Sequence, residues 1–115
     1  MLAESILQQK EKGTLEVSLM AQLLTPEEIN AQAATLTGWT VEGKTLKWEH
    51  RFADFLAAMK FVNSLVEPAE QMGHHPDIFI SYNRVVITLT THDAGGLTQK
   101  DFDLARQISQ LLASQ

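Results

Sequence analysis

Three histidines in the second half of the chain have the residue type and the spacing for proton-transfer chemistry. His74 and His75 are adjacent, and His92 follows within the same stretch, close to several carboxylates. An unperturbed imidazole titrates at about pH 6.5, so such a cluster can both donate and accept protons near neutrality. That property suits the loss or addition of water. The fourth histidine, His50, lies on the apolar side of an alternating segment, and we interpret it as a partly buried structural residue.

A predicted β-hairpin joins the two histidine positions. The first strand is expected over Asp77–Tyr82, the turn at Asn83-Arg84, and the second strand over the β-branched stretch Val85–Thr91. The histidines therefore lie at the two open ends of one hairpin.

The register of this hairpin decides which side chains meet. With the turn centred in the predicted dipeptide, His75 lies opposite His92 and His74 lies opposite Asp93. Cross-strand partners have Cβ atoms about 5 Å apart, so two imidazoles come together. Pro76 biases His75 toward extended backbone, which sends His74 and His75 to different walls of one cavity.

Two other uses of these residues stay open from spacing alone. The histidines could be strand-end residues that make structural hydrogen bonds, or they could bind zinc together with Asp77 or Asp93. Adjacent histidines rarely converge on one ion, and the i, i+4 histidine spacing of helical zinc sites is absent. The chain has no G-x-S-x-G elbow, and Gly95-Gly96 does not continue as a phosphate-binding loop, which argues against hydrolases and nucleotide ligands.

Composition narrows the class of protein. The 115 residues fit one domain, the formal charge is -5, and no cysteine is present, so disulfides, zinc thiolates and thiol nucleophiles are excluded. No basic cluster offsets the acidic balance, so we expect no direct nucleic-acid contact. No apolar run approaches the roughly 20 residues of a membrane span. We expect a cytoplasmic protein in which residues 1–20 are an extension, disordered or derived from a tag, and residues 21–115 form the domain.

Two capping boxes mark the starts of predicted helices. Thr25-Pro26-Glu27-Glu28 begins a helix expected to run to about Leu36, and Thr98 with Asp101 opens the last helix. In that last helix the predicted core stripe consists of Phe102, Ala105, Ile108 and Leu112.

Between these helices the period of the apolar residues changes. Alternation over Thr45–Phe52 predicts a half-buried strand that pairs with Thr40–Val41. From Ala53 the period becomes helical, and Pro68 is expected to kink this helix or to begin a second short piece that ends at Gly73. The predicted core stripe of the helix comprises Phe55, Met59, Val62 and Val66, flanked by Phe52, Leu56 and Leu65.

The resulting order of elements is α-β-β-α-β-β-α. It predicts an α+β domain with one four-stranded antiparallel sheet and three helices packed on one face. Because the outer strands and the uncovered face of such a sheet are pairing liabilities, we expect a symmetric oligomer.

Several motifs together resemble the signature of the pterin-4a-carbinolamine dehydratases. The resemblance extends from about Leu24, through the Gly38-Trp39 pair, to the C-terminus, and the motifs occur in the family's order and spacing. They are Glu70-Gln71-Met72-Gly73-His74-His75-Pro76, Tyr82-Asn83-Arg84-Val85, Leu89-Thr90-Thr91-His92-Asp93, and Gly96-Leu97-Thr98 followed by Asp101.

This resemblance implies a reaction and a set of site residues. Members of the family remove water from a 4a-hydroxytetrahydropterin to give quinonoid dihydropterin, which recycles the tetrahydrobiopterin-type cofactor of aromatic amino acid hydroxylases. The pterin is the substrate, and neither a metal nor a cofactor is implied. The implied assembly is a homodimer or homotetramer, with such a hydroxylase as a functional partner. Carried over to this chain, the catalytic residues are His74, His75 and His92, which also bind the pterin, the further pterin-binding residues are Gly73, Thr90, Thr91 and Asp93, and the supporting acids are Glu70 and Asp101.

Some positions depart from the vertebrate pattern that the resemblance brings with it. Gly73 stands in place of an aspartate, Ile78 in place of a tryptophan, and Lys100 in place of an arginine. All three histidines are retained, so we expect activity. The alternative is a protein-binding module, because relatives that the chain resembles serve as a transcriptional coactivator or assist protein assembly.

Overall fold

Residues 22–115, the part of the chain that the computed structural model describes, form one antiparallel sheet covered on one face by helices. The helices are α1 Pro26–Ala33, α2 Phe55–Ser64, α3 Val66–Met72 and α4 Gln99–Ala113, and the strands are β1 Trp39–Glu42, β2 Thr45–Arg51, β3 Asp77–Ser81 and β4 Arg84–Leu89. With α2 and α3 counted as one interrupted helix, the predicted α+β class and the order α-β-β-α-β-β-α are confirmed. The predicted extension over residues 1–20 lies outside the described residues.

Helix α1 begins where its capping box predicts. The Thr25 hydroxyl accepts a hydrogen bond from the N–H of Glu28 at 3.1 Å, and the Glu28 carboxylate accepts one from the N–H of Thr25 at 2.8 Å. These bonds satisfy donors that have no partner inside a helix. The helix ends earlier than expected, because the N–H of Leu36 bonds to the carbonyl of Ala33 at 3.1 Å in a tightened turn. That turn directs Leu36 into the core.

The second helical segment is interrupted between Ser64 and Val66, one turn before the predicted position. The N–H of Leu65 bonds to the carbonyl of Val62 at 3.0 Å, and α3 then starts afresh. Pro68 consequently lies in the first turn of α3. The first N–H groups of a helix have no carbonyl partner within it, so a proline there removes no hydrogen bond.

The strand order β1-β2-β4-β3 places the second hairpin beside the first, with β1 and β3 at the edges. All neighbouring strands are antiparallel, and Ile87 of β4 lies between Trp48 of β2 and Ile78 of β3. The helix-covered face of the two central strands is fully buried and carries Leu46, Trp48, Val85, Ile87 and Leu89.

The turn between β3 and β4 corrects one sequence-based expectation. Ser81 pairs with Arg84, so the turn residues are Tyr82 and Asn83 rather than Asn83 and Arg84. Tyr82 has a φ of 56°, a left-handed conformation in which asparagine is far more common than tyrosine. Asn83 is held in the second turn position because its side-chain amide donates to the carbonyl of Phe52 at 2.8 Å.

Helix α2 buries a different face from the predicted one. Its buried residues are Ala58 and Phe61, followed by Leu65 in the connection to α3, whereas Phe55, Leu56 and Val66 are exposed. The predicted stripe is therefore wrong at Phe55, Leu56 and Val66, whereas Val62 and the flanking residues Phe52 and Leu65 pack in or against the core as expected. A helix that is apolar on most sides has no unique stripe, and the fit of aromatic rings decides. Phe61 packs against Phe52 and Trp48, with ring centroids 5.1 and 5.6 Å away.

The last helix and the isolated histidine agree with the sequence-based expectations. Helix α4 buries Phe102, Ala105 and Ile108 completely and Leu112 in part. His50 is half-buried, with its ring centroid 5.6 Å from that of Trp48. Among the helices within residues 22–115, none has both the length and the apolar character needed to cross a bilayer.

Candidate active site

The end of helix α3 determines where His74 lies. Gly73 adopts a left-handed conformation with φ 61°, and its N–H bonds to the carbonyl of Glu70 at 3.2 Å. The N–H of His74 bonds to the carbonyl of Ala69 at 3.1 Å. This bond pair is the Schellman motif, which glycine favours because it has no Cβ. The motif reverses the chain and directs the His74 side chain toward the start of α4.

His74 and Asp101 form a buried pair at the site. Nε2 of His74 lies 2.6 Å from Oδ1 of Asp101, and the two residues are 8% and 0% exposed. A carboxylate can only accept hydrogen bonds, so Nε2 of His74 carries the hydrogen. The lone pair of a neutral His74 is therefore on Nδ1. Helix α4 supplies Asp101 from its first turn, where a negative charge is stabilised by the helix dipole.

The second carboxylate oxygen of Asp101 accepts two hydrogen bonds. Oδ2 accepts a hydrogen bond from the Thr91 hydroxyl at 2.8 Å and from the N–H of Thr98 at 2.9 Å. The two threonine hydroxyl oxygens are 2.7 Å apart. Thr98 is thus a site residue that the histidine pattern misses, although its capping box with Asp101 is visible in the sequence.

His75 forms a second pair of a different character. Its Nε2 lies 2.6 Å from Oε2 of Glu70, which is one turn back on α3, and the two side chains are 62% and 68% exposed. Solvent screens such a pair, so its geometry is held less firmly than that of His74 and Asp101. His74 and His75 are therefore a buried and an exposed imidazole, each beside a carboxylate.

The remaining predicted residues lie on the loop that follows β4. His92 and Asp93 are exposed in the turn 92–95, which closes as the N–H of Gly95 bonds to the carbonyl of Thr91 at 2.9 Å. The Thr90 hydroxyl donates to the carbonyl of Lys44 at 2.7 Å. Among residues 22–115, no hydrogen bond joins the His92 or Asp93 side chain to the other candidate residues.

The expected opposition of His75 to His92 and of His74 to Asp93 is wrong. The β3–β4 ladder begins at Asp77, which pairs with Thr88, so an extension of that register misses both pairs by two residues. The error follows from the misplaced turn. His74 and His75 pair with carboxylates on helices rather than with residues of the 92–95 turn across the sheet.

Two other features lie apart from this site. Among the described residues 22–115, no three His, Asp or Glu side chains gather closely enough to hold a metal ion. A cleft of about 410 Å³ runs between α3 and α4, but none of the candidate residues lines it; its walls are Glu67, Pro68, Gln71, Gln107, Gln110, Leu111 and Ser114.

An ion pair at the turn end of the second hairpin changes the pKa of both partners. A hydrogen bond from Arg84 lowers the pKa of Glu49, and the bond back to Glu49 raises the pKa of Arg84. Nε of Arg84 lies 2.6 Å from Oε2 of Glu49. Arg84 also lies 5.7 Å from the ring centroid of Phe79. This pair occupies the opposite end of the hairpin from the histidines.

Known protein sequences resemble this chain over most of the described residues. The sequence model of a family described as "Pterin 4 alpha carbinolamine dehydratase" matches residues 22–111. Proteins from Nostoc sp. and Cyanothece sp. are 65% and 66% identical over 92 residues, which cover 80% of this chain and 99% and 95% of theirs. The names of both assign them provisionally as pterin-4-alpha-carbinolamine dehydratases.

Solved structures agree with the sequence comparison. A Brucella melitensis protein described as a transcriptional coactivator/pterin dehydratase matches with a TM-score of 0.73 and 37% identity, covering 76% of this chain and 96% of that one. A pterin dehydratase-like protein identified as a RuBisCO assembly factor in the alpha-carboxysome matches with a TM-score of 0.55 and 25% identity, covering 64% of this chain and 88% of that one. The family model spans nearly all the described residues, and the sequences of these relatives are about two thirds identical to this one over the matched residues. The chain therefore belongs to the pterin-4-alpha-carbinolamine dehydratase family.

Proposed function

We propose that this protein dehydrates a 4a-hydroxytetrahydropterin to quinonoid dihydropterin by histidine acid–base catalysis. The observation that carries the proposal is the buried pair of His74 and Asp101, in which Nε2 and Oδ1 are 2.6 Å apart. An imidazole held by a buried carboxylate has a fixed tautomer and a fixed ring orientation, which a proton-transfer residue requires. The family names of the relatives support the same reaction class.

The proposed chemistry needs two proton transfers and no redox step. One group removes the proton from the ring nitrogen next to C4a, and the electrons of that N–H bond form a C=N bond. The C–O bond at C4a breaks, and a second group protonates the departing oxygen, so that water leaves. We assign the first role to Nδ1 of His74, because Nε2 is already bound to Asp101.

The exposed imidazoles fit the second role. His75 is held by Glu70 at 2.6 Å, and His92 lies on the exposed loop after β4. Either can bring a proton from solvent to the departing hydroxyl, because both are in contact with water. We place the pterin ring beside this loop, in contact with Gly73, Thr90 and Asp93 as well as the histidines.

A stopped-flow assay tests the function directly. The 4a-hydroxytetrahydropterin is generated in the instrument, and its decay is followed by absorbance with and without the purified protein at pH 7 to 8. We expect acceleration proportional to protein concentration. A decay rate that stays at the uncatalysed value over the whole range of protein concentration would refute the enzyme proposal.

The broader biological role is part of the same proposal. The reaction would recycle a tetrahydrobiopterin-type cofactor in the cytoplasm for an aromatic amino acid hydroxylase. Exposed apolar side chains support a homodimer or homotetramer. They include Phe55, Leu56 and Val66 on the helical surface and Ile78 and Phe79 on edge strand β3. Sedimentation at several protein concentrations measures that assembly.

A protein-binding role is the second candidate, and the same exposed apolar side chains favour it. Leu56 of α2 and Val66 of α3 are 67% and 60% exposed, and exposed apolar side chains on a surface are typical of protein-binding sites when they form a patch. The Brucella melitensis protein is described as a transcriptional coactivator as well as a pterin dehydratase. An inactive protein that nevertheless forms a stable complex through this surface would favour binding over catalysis.

A further inference from the structure

Thr91 is more deeply involved with Asp101 than with the open part of the site. It is 7% exposed, and its hydroxyl donates to Oδ2 of Asp101 at 2.8 Å. Thr98 is 1% exposed, and its hydroxyl oxygen lies 2.7 Å from that of Thr91. Neither hydroxyl is directed to solvent, although Thr91 belongs to a motif that the family resemblance assigns to pterin binding.

The direction of each hydrogen bond in this group follows from the donor inventory. Asp101 as a carboxylate only accepts, so the single hydroxyl hydrogen of Thr91 goes to Oδ2. The Thr98 hydroxyl must then donate to the oxygen of Thr91. The chain of donors therefore runs from Thr98 through Thr91 to Asp101, and the other carboxylate oxygen receives Nε2–H of His74.

A carboxylate rotates freely about its last torsion unless its oxygens are held. Three donors hold Asp101, namely the Thr91 hydroxyl and the N–H of Thr98 on Oδ2, and His74 on Oδ1. The Thr98 N–H is part of the helix cap and is present with any residue but proline at that position. Of the three donors to Asp101, His74 belongs to the acid–base pair and the Thr98 donor is a backbone group. The Thr91 hydroxyl is the remaining donor, and a substitution of its side chain can remove it.

We infer that Thr91, supported by the Thr98 hydroxyl, is a positioning residue that fixes the rotation of Asp101 and through it the Nε2–H tautomer of His74. The expected effect on kcat rests on the proposed role of His74 in proton transfer. The expected effect on the His74 tautomer does not depend on that role. We thereby assign Thr91 a role different from pterin contact. The two roles differ in which kinetic constant they change, because positioning acts on the chemical step and contact acts on substrate affinity.

The spectroscopic test needs no substrate. In ligand-free protein labelled with 15N, long-range 1H–15N correlation at pH 8 reports the tautomer of each histidine ring. For the wild type we expect His74 to have a protonated Nε2, an acceptor Nδ1, and a low-field Nε2–H resonance from the short bond to the carboxylate. In Thr91→Val we expect that resonance to move upfield or broaden and the tautomers to mix.

Kinetics complete the test on the same variants. In Thr91→Val we expect kcat to fall about tenfold or more with KM within about twofold. Thr91→Ser keeps the hydroxyl and should restore both kcat and the His74 spectrum. Thr98→Val should change kcat and the His74 spectrum in the same direction as Thr91→Val does, but by a smaller amount. Thr88→Val, a threonine on β4 outside the site, is the matched control and should change neither.

The outcomes separate the alternatives. An unchanged His74 spectrum in Thr91→Val overturns the inference, whatever the kinetics show. If KM also rises in that variant, Thr91 is a direct pterin contact instead. A wild type that does not accelerate dehydration overturns the proposed function, while the spectra of Thr91→Val and Thr91→Ser still decide the positioning role. Should Thr91→Val fail to fold, an unchanged His74 spectrum in a folded Thr98→Val would overturn the inference instead.

Discussion

His74 and Asp101 are twenty-seven positions apart in the sequence, and their Nε2 and Oδ1 atoms are 2.6 Å apart in the structure. One lies just after the end of α3, and the other lies in the first turn of α4. The contact therefore joins two helices through a polar pair with almost no solvent exposure. Buried polar pairs of this kind affect stability and chemistry together, so variants must be measured for both.

Replacement of the histidines should reduce turnover strongly. We expect His74→Ala to lower kcat by about 100-fold or more, since general acid–base catalysis contributes on that scale, and His92→Ala to lower it by a similar factor. The stopped-flow decay of the hydroxypterin measures kcat for each variant. Unchanged turnover in both variants would contradict the assigned roles.

Asp101→Asn should destabilise the fold because it replaces a carboxylate oxygen by an NH2 group, where three hydrogen-bond donors already point at the side chain. At least one of the His74 Nε2–H, the Thr91 hydroxyl and the Thr98 N–H then loses its acceptor, which costs about 1–3 kcal/mol in the free energy of unfolding. Urea denaturation measures the loss. Asp103→Asn, on the same helix but exposed, is the control and should stay within about 0.5 kcal/mol of the wild type.

Gly73→Ala and Gly43→Ala form a matched pair. The φ angles are 61° and 59°, and an added Cβ meets no atom within 4 Å at either position, so both should lose roughly 1–2 kcal/mol from the left-handed backbone alone. Only Gly73 directs a histidine into the site, so only Gly73→Ala should also lower kcat. Equal kcat values in the two variants would show that the end of α3 does not position His74.

Helix α2 offers a test of which face is buried. Phe61→Ala should lower the free energy of unfolding by about 3–5 kcal/mol, because the side chain is fully buried. Leu56→Ala should change it by less than about 0.5 kcal/mol at concentrations where the protein is monomeric. A greater loss for Leu56→Ala under those conditions would place the core on the other face of the helix.

The pair of Glu49 and Arg84 predicts a dependence of stability on pH. The hydrogen bond from Arg84 lowers the folded-state pKa of Glu49 below its ordinary value of 4.5. The pair therefore stabilises the fold above pH 4.5, and this contribution is lost as the pH falls through the lowered pKa. The stability difference between the wild type and Glu49→Gln should therefore shrink below about pH 4.5. Denaturation curves from pH 3 to 7 measure it. A difference that stays constant over that range would mean that Glu49 titrates normally.

Local chemistry explains the elements that sequence reasoning predicts correctly. The capping boxes at Thr25 and Thr98 locate two helix starts, and the β-branched run of β4 locates a central strand. Each signal lies within a few residues of the feature that it specifies. The family motifs likewise name the histidines, because residue type and spacing are visible without coordinates.

Contacts between distant segments explain the errors. The turn is displaced to Tyr82 because the Asn83 amide bonds to the carbonyl of Phe52 on the preceding hairpin, which periodicity cannot reveal. The displaced register then removes the expected meeting of His75 and His92. The buried partner of His74 is likewise an acid on another helix rather than a cross-strand neighbour.

Helix α4 also imposes an order on the maturation of the protein during synthesis. It supplies Asp101 to His74 and Ser109 to the indole N–H of Trp39, so it completes both the site and the contact with edge strand β1. A ribosome delivers α4 after both partners, because translation runs from the N-terminus. A nascent chain that has exposed His74, His75 and His92 consequently still lacks the contact between His74 and Asp101, and the proposed catalysis would begin only after α4 has emerged and docked.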